Sequence, residues 1–235
     1  MPIAWSGSAT KFVTLGYIQF SEIFLKNGCS AYLPFSLLIL PMTNQAIIRH
    51  LESFIPLKGS EKALFEDRFV TRPVKRREKI LVAGEVCKYY TFVVEGCFRM
   101  FGVDDKGFEH NIQFAAENDW VADIGSFHTQ KPSQLNIEAL EAGLVLQIKQ
   151  EDLYFLYKNI PKMNMIFKVL IELKYIELQN RVLQNFSSTA EQRYLSFLEQ
   201  YPHLFNRLPN TQIASYLGIT PEFLSKVRKN IQSKA

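Results

Sequence analysis

Between Asn210 and Lys229 the chain reads NTQIASYLGITPEFLSKVRK. The polar residues of its second half are spaced to read the edge of a nucleic-acid duplex. Pro221, Glu222, Ser225, Lys226 and Lys229 follow one another at helical steps, so a helix puts them on one face. From that face Lys226 can donate to guanine O6 and N7, and Glu222 can accept from cytosine N4. Thr220, Arg228 and Lys229 suit phosphate, which positions a helix without reading sequence. From Thr211 onward four cations (Lys226, Arg228, Lys229, Lys234) face one acid, Glu222, so positive charge gathers where phosphate would be met.

That face needs a support. Ala214 is small enough for two helices to cross closely, and Gly218 four residues on can take the positive φ of a tight turn. Ile213, Leu217, Ile219, Leu224 and Val227 supply a small core. Thr220 suits a helix N-cap and Pro221 the first helical position. The spacing predicts a helix-turn-helix whose second helix enters the major groove. Little sequence remains after it to build a β wing, and the preceding LFNRLP is expected to share in bracing the unit.

Further upstream, Pro161 opens a long predicted helix ending near Phe186. Within it Ile166, Val169, Leu173, Ile176, Asn180 and Leu183 step by three and four, a heptad seam with one polar position. A lone Asn in such a seam is a register device, so the spacing predicts a symmetric homodimer, with a buried monomeric helix as the alternative. Ser187-Ser188-Thr189 should break the helix. A further helix is expected over 190–199, with Tyr194, Leu195 and Leu198 turned inward.

Between Lys75 and Gln150 the pattern is of short strands: 78–82, 89–96, 97–103, 108–115, and two more near Leu135 and Ile148. Asp104-Asp105-Lys106-Gly107 and Asn118-Asp119 are the turn signals. Many short strands separated by such turns predict a sandwich or jelly-roll barrel. Before them, Thr43 or Asn44 is expected to cap a helix with Ile47, Ile48, Leu51 and Phe54 on one face. Residues 1–41 are aromatic and aperiodic. They read as an upstream extension with Met42 as the functional start, or else as an arm packed on the body.

Composition excludes several classes. At 47% hydrophobic and 21% charged residues, the chain is globular rather than disordered. Its net charge of +4 is too small to argue nucleic-acid binding by itself. Cys29, Cys87 and Cys97 form no CxxC pair or Cys/His cluster, so neither zinc nor an iron–sulfur cluster is expected, and the odd count suits a reducing cytoplasm. The most apolar stretch, 31–41, is about half the ~20 residues of a membrane span. There is no Ser/His/Asp set, acid pair of suggestive spacing or P-loop, so no enzyme is predicted.

With these elements in order, the chain resembles the cyclic-AMP receptor protein/fumarate–nitrate regulator (Crp/Fnr) family from about Thr43 to the end. REKILVAGEVCKYYTFVVEGCFRMF, ENDWVADIGSF and TQIASYLGITPEFLSKVRK carry the resemblance. It implies an α+β chain: a cyclic-nucleotide-binding-like β jelly roll over 42–160, a dimerisation helix over 161–187 and a C-terminal winged helix-turn-helix over 188–235. It also implies double-stranded DNA, a second copy and RNA polymerase as partners. Members that bind cyclic nucleotide hold the ribose with Gly-Glu and the phosphate with Arg-Ser. Here those positions are Ala122-Asp123 and Ser133-Gln134. Without the arginine the phosphate has no bidentate charged partner, so no tight cyclic-AMP binding is expected and the effector is left open. The oxygen-sensing cysteine cluster of some members is absent, and His110 and His128 read as ordinary surface or strand residues rather than haem ligands. The competing functional reading is an effector- or partner-binding module without sequence-specific DNA binding.

Overall fold

The computed structural model describes residues 35–65 and 67–234. The reading of residues 1–41 as an extension falls almost wholly outside them. Helix α1 (Phe35–Glu52) starts earlier than expected, so Thr43 and Asn44 lie inside it rather than at its start. The Leu/Ile run before Pro41 forms helix as readily as the residues after Met42, and a helix N-cap is only a preference. Ile47 and Leu51, one turn apart, are fully buried, whereas Phe54 lies beyond the helix and is exposed. A short helix, α2 (Gly59–Ala63), leads to the strands.

Among the described residues, eight strands form two antiparallel four-stranded sheets. They are β1 (Val70–Val74), β2 (Lys79–Leu81), β3 (Tyr89–Glu95), β4 (Phe98–Val103), β5 (Glu109–Ala115), β6 (Trp120–Val121), β7 (Leu135–Ala139) and β8 (Gly143–Lys149). One sheet runs β1-β8-β3-β6 and the other β2-β7-β4-β5. Strands β1 and β6 were not expected. Pro73 and Arg72 disguise β1, and proline is tolerated there because β1 is an edge strand. In the β4–β5 hairpin, Asp104 Oδ1 accepts from the N–H groups of Lys106 and Phe108, and Gly107 takes φ 83°. Asn118 turns the chain at φ 71°.

Along β3 the side chains alternate. Thr91 and Val93 face one way, opposite Gln147 and Val145 of β8. Tyr90 and Phe92 face the other way, among helices. Between β6 and β7 lies α3 (Ile124–Thr129). After β8 come α4 (Gln150–Asn159) and α5 (Pro161–Ser187), with Pro161 in the first turn as expected. Thr189 then caps α6 (Ala190–Gln200) through a capping box with Gln192. On α6 the inward residues are Tyr194 and Phe197, and Leu195 is exposed. Tyr194 and, in part, Leu198 face inward as expected, whereas Leu195 does not and Phe197 takes its place. The last two helices are α7 (Asn210–Leu217) and α8 (Pro221–Lys234).

Two apolar cores result. The first joins the sandwich to α1, α4 and the start of α5. The second joins α6, α7 and α8, and it includes Cys97, Phe114 and Ala116 from the sandwich. Among the described residues, no helix is long and apolar enough to cross a membrane.

Candidate nucleic-acid interface and effector cavity

Helices α7 and α8 meet at Gly218, whose φ of 66° closes the turn. Ile213, Ala214, Leu217, Leu224 and Val227 are buried between them. Thr220 Oγ1 accepts from the N–H of Phe223, starting α8. Burial of Leu224 and Val227 turns the opposite side of α8 outward. Glu222, Ser225, Lys226 and Lys229 are exposed there, with Pro221 half-buried at the start. Glu222 titrates below the usual carboxylate range because its own backbone N–H and the Thr220 hydroxyl bond to it. Arg228 stands apart from this row. Its Nη1 donates to Asn210 Oδ1 at 2.5 Å, and its guanidinium lies over the Tyr194 ring.

On α5, Leu173, Ile176, Asn180 and Leu183 are exposed and Val169 is half-buried. Ile166 is not part of that stripe. It is buried in the first core with Met163 and Phe167, because the heptad steps carry the seam around the helix from the side that faces the sandwich. A second exposed apolar row, Ile171, Tyr175, Leu178 and Val182, flanks the helix on its other side.

The positions matching the family's nucleotide pocket close on themselves. Asp123 Oδ1 accepts from the Ser126 N–H at 3.1 Å and so caps α3. Asp123 Oδ2 accepts from the Ser133 hydroxyl at 2.6 Å. Ala122 is buried beside them, and Gln134 is exposed. Both carboxylate oxygens of Asp123, at the ribose position, are therefore engaged, and Ser133 and Gln134, at the phosphate position, bring no cation to a cyclic phosphate. These residues do not fit that ligand.

Next to Asp123 lies a cavity of about 350 Å³ between sandwich, α5 and the C-terminal helices. Met100, Ile112, Leu135, Ile171, Tyr201 and Tyr216 are among its walls. Its cations are already bonded. Lys174 pairs with Glu177 at 3.0 Å and Asp119 at 3.7 Å. Burial alone would lower the Lys174 pKa, but these two acids raise it. Asp119 itself is pushed up by burial. Arg181 donates to the carbonyls of Ile112, Asn111 and Tyr216. His110 pairs with Asp104, and His128 with the Tyr154 hydroxyl. Among the described residues, no group of His, Cys, Asp and Glu is placed to hold a metal.

Sequence reasoning missed how the C-terminal helices seat on the sandwich. Arg99 of β4 is buried. It donates to Glu138 through Nε and Nη2, to Glu109 at 2.5 Å, and through Nη1 to Gln212 Oε1 of α7 at 3.0 Å. Asn111 Nδ2 donates to Gln212 O and Oε1, while its N–H donates to Ser215 Oγ. Phe114 meets Phe197, Tyr201 and Tyr216 edge-on or tilted. Arg207, in the LFNRLP segment, holds Glu117 and Glu141. The available signals were an arginine inside the otherwise apolar CFRMFGV and the bracing expected of LFNRLP, which contains Arg207.

Residues 71–159 match the cyclic nucleotide-binding domain family. No curated protein sequence matches the chain. Solved structures do share its fold. FixK2 from Bradyrhizobium japonicum is 18% identical, with a TM-score of 0.61 over 71% of this chain and 85% of that one. The c-di-GMP responsive global regulator CLP of Xanthomonas campestris is 14% identical, with a TM-score of 0.63 over 75% of this chain and 93% of that one. A protein from Eubacterium rectale assigned to the Crp/Fnr family is 18% identical, with a TM-score of 0.59 over 76% of this chain and 85% of that one. The chain thus carries a cyclic nucleotide-binding domain within the fold of the Crp/Fnr regulators.

Proposed function

We propose that this protein is a dimeric, DNA-binding transcriptional regulator of the Crp/Fnr type, and not an enzyme. In this reading residues 42–160 form the sensor, 161–187 the dimerisation helix and 188–235 the DNA-binding unit. It acts in the cytoplasm, with RNA polymerase as a further partner. One observation carries the reading: Glu222, Ser225, Lys226 and Lys229 form an exposed row on α8 while Leu224 and Val227 anchor its back. A helix so mounted presents donors and an acceptor to base edges. Thr220 and Lys229 would meet backbone phosphates, with Pro221 opening the helix between them and the base-facing residues. Arg228 joins them only if it leaves Asn210.

The exposed stripe Leu173, Ile176 and Leu183, with Val169 and Asn180, supports pairing of two α5 helices. The Asp123–Ser133 bond supports loss of cyclic-AMP binding, since a ligand would have to break it to reach the ribose partner and would still find no cation for its phosphate. An effector of other chemistry would act by favouring one arrangement of the paired helices over another.

Lys226→Ala tests the reading. Binding to duplexes varied at single positions should lose about 1–3 kcal/mol of discrimination at one base pair in each half-site. Unchanged selectivity would favour a sensing or protein-interaction module instead.

A further inference from the structure

A recognition helix is useful only if its partner stands at the matching distance and angle. We infer that the sandwich itself sets that geometry: the β4–β5 hairpin is the seat of the DNA-binding unit, and Arg99 is its positioning residue. The inference rests on the DNA-binding reading above and adds to it a determinant of half-site spacing.

Apolar contact holds the unit on but does not orient it, because burial has no preferred direction. Phe114 and Cys97 of the sandwich are fully buried in the same core as α6, α7 and α8. Among the described residues, no strand belongs to the C-terminal unit. Its platform is β5.

Orientation comes from the polar contacts. Arg99 is fixed on its own sheet by Glu138 and by the Phe101 ring, 4.0 Å below its guanidinium. One nitrogen of that planar fork reaches Gln212. Asn111, 1% exposed, grips both the backbone and the side chain of the same Gln212. Ser215 Oγ accepts from the Asn111 N–H and donates to the Glu109 carbonyl. These bonds seat one end of α7. Arg207, bonded to Glu117 and Glu141, pins the chain leading into it. Two separated anchors stop the rotation that one would allow. Directional buried contacts of this kind narrow the geometry, even though Asn111 Oδ1 finds no partner among the described residues. The seat leaves the outward row of α8 exposed, so it is compatible with bound DNA.

The test uses the full-length protein and duplexes in which two half-sites, selected from random DNA, are separated by the optimal spacer or by one or two base pairs more or less. Each added base pair turns the second half-site by about 35°. Wild type should lose about tenfold or more in affinity per step, the worth of one good base contact. Gln212→Leu breaks the contact from the α7 side and leaves Arg99 paired with Glu138 and Glu109. It should flatten the spacing profile to within about threefold while preserving base preference. Arg99→Met should do the same. Lys226→Ala should do the reverse, losing base preference and keeping a sharp spacing optimum. Equally sharp profiles for wild type and Gln212→Leu would overturn the inference and leave the DNA reading standing. A wild type without any base preference would overturn both.

Discussion

The two outer faces of the sandwich are both covered by helices, and they are built from opposite materials. On the β3 face, Tyr90 and Trp120 meet Phe167 of α5 with ring centroids 5.8 and 5.0 Å away, Trp120 also meets Phe92 at 5.1 Å, and His50 of α1 lies 5.2 Å from Phe92. On the β4–β5 face, Arg99 and Asn111 are buried with bonds to α7, and Phe114 is the main apolar contact. The aromatic face is an interior that happens to include helices. The polar face is a joint, assembled from two units that must meet in one orientation. Apolar burial gives the first its strength, and directional bonds give the second its geometry.

The contrast can be broken at its strong end first. Trp120→Ala opens a hole in the aromatic face and should destabilise the whole chain by about 3–5 kcal/mol, read from urea unfolding. If it unfolded only the C-terminal helices, the division into two cores would be wrong. Next, Arg99→Ala leaves the partly buried Glu138 without its cation and should cost about 3 kcal/mol, the low end for a buried pair. The double change Arg99→Met with Glu138→Leu should recover most of that stability, because well-packed apolar groups often match a buried pair. It should not recover orientation. A double variant as unstable as the single one would show that the arginine does more than orient. The smallest effect is in pH. Burial lowers the His50 pKa below its ordinary 6.5, so the fold favours the neutral ring. Stability is then complete above 6.5 and falls as the pH drops below it, since only the unfolded chain gains the proton there. His50→Phe should flatten that part of a melting-temperature profile. The same slope in wild type and variant would place the titrating group elsewhere.

The sequence made some of this plain. Strands β2 to β5, β7 and β8 are marked by turn residues on either side, and the helix-turn-helix by Ala214, Gly218, Thr220 and Pro221, whose roles are local. The features it hid depend on distant partners or on phase. The bond from Arg99 to Gln212 spans more than a hundred residues, and only an arginine in an apolar strand hinted at it. Strand β6 has two residues, too few for any alternation to show. On α5 and α6 the helices themselves were evident, but the exact phase of the side facing the body was not. Ile166 and Leu195 were therefore assigned to the wrong faces. At the nucleotide pocket the departures from the family could be read directly, whereas the capping role of Asp123 needed the position of Ser126.

The account stands on α8 reading bases as one of a pair. Selection of duplexes from random DNA by the full-length protein tests this most directly. It should return a pseudo-palindrome whose half-sites lie about one helical turn, ~10 base pairs, apart, and Lys226→Ala should blur one position in each half. A protein that runs as a monomer and holds every duplex alike, with affinity governed by salt alone, would contradict it.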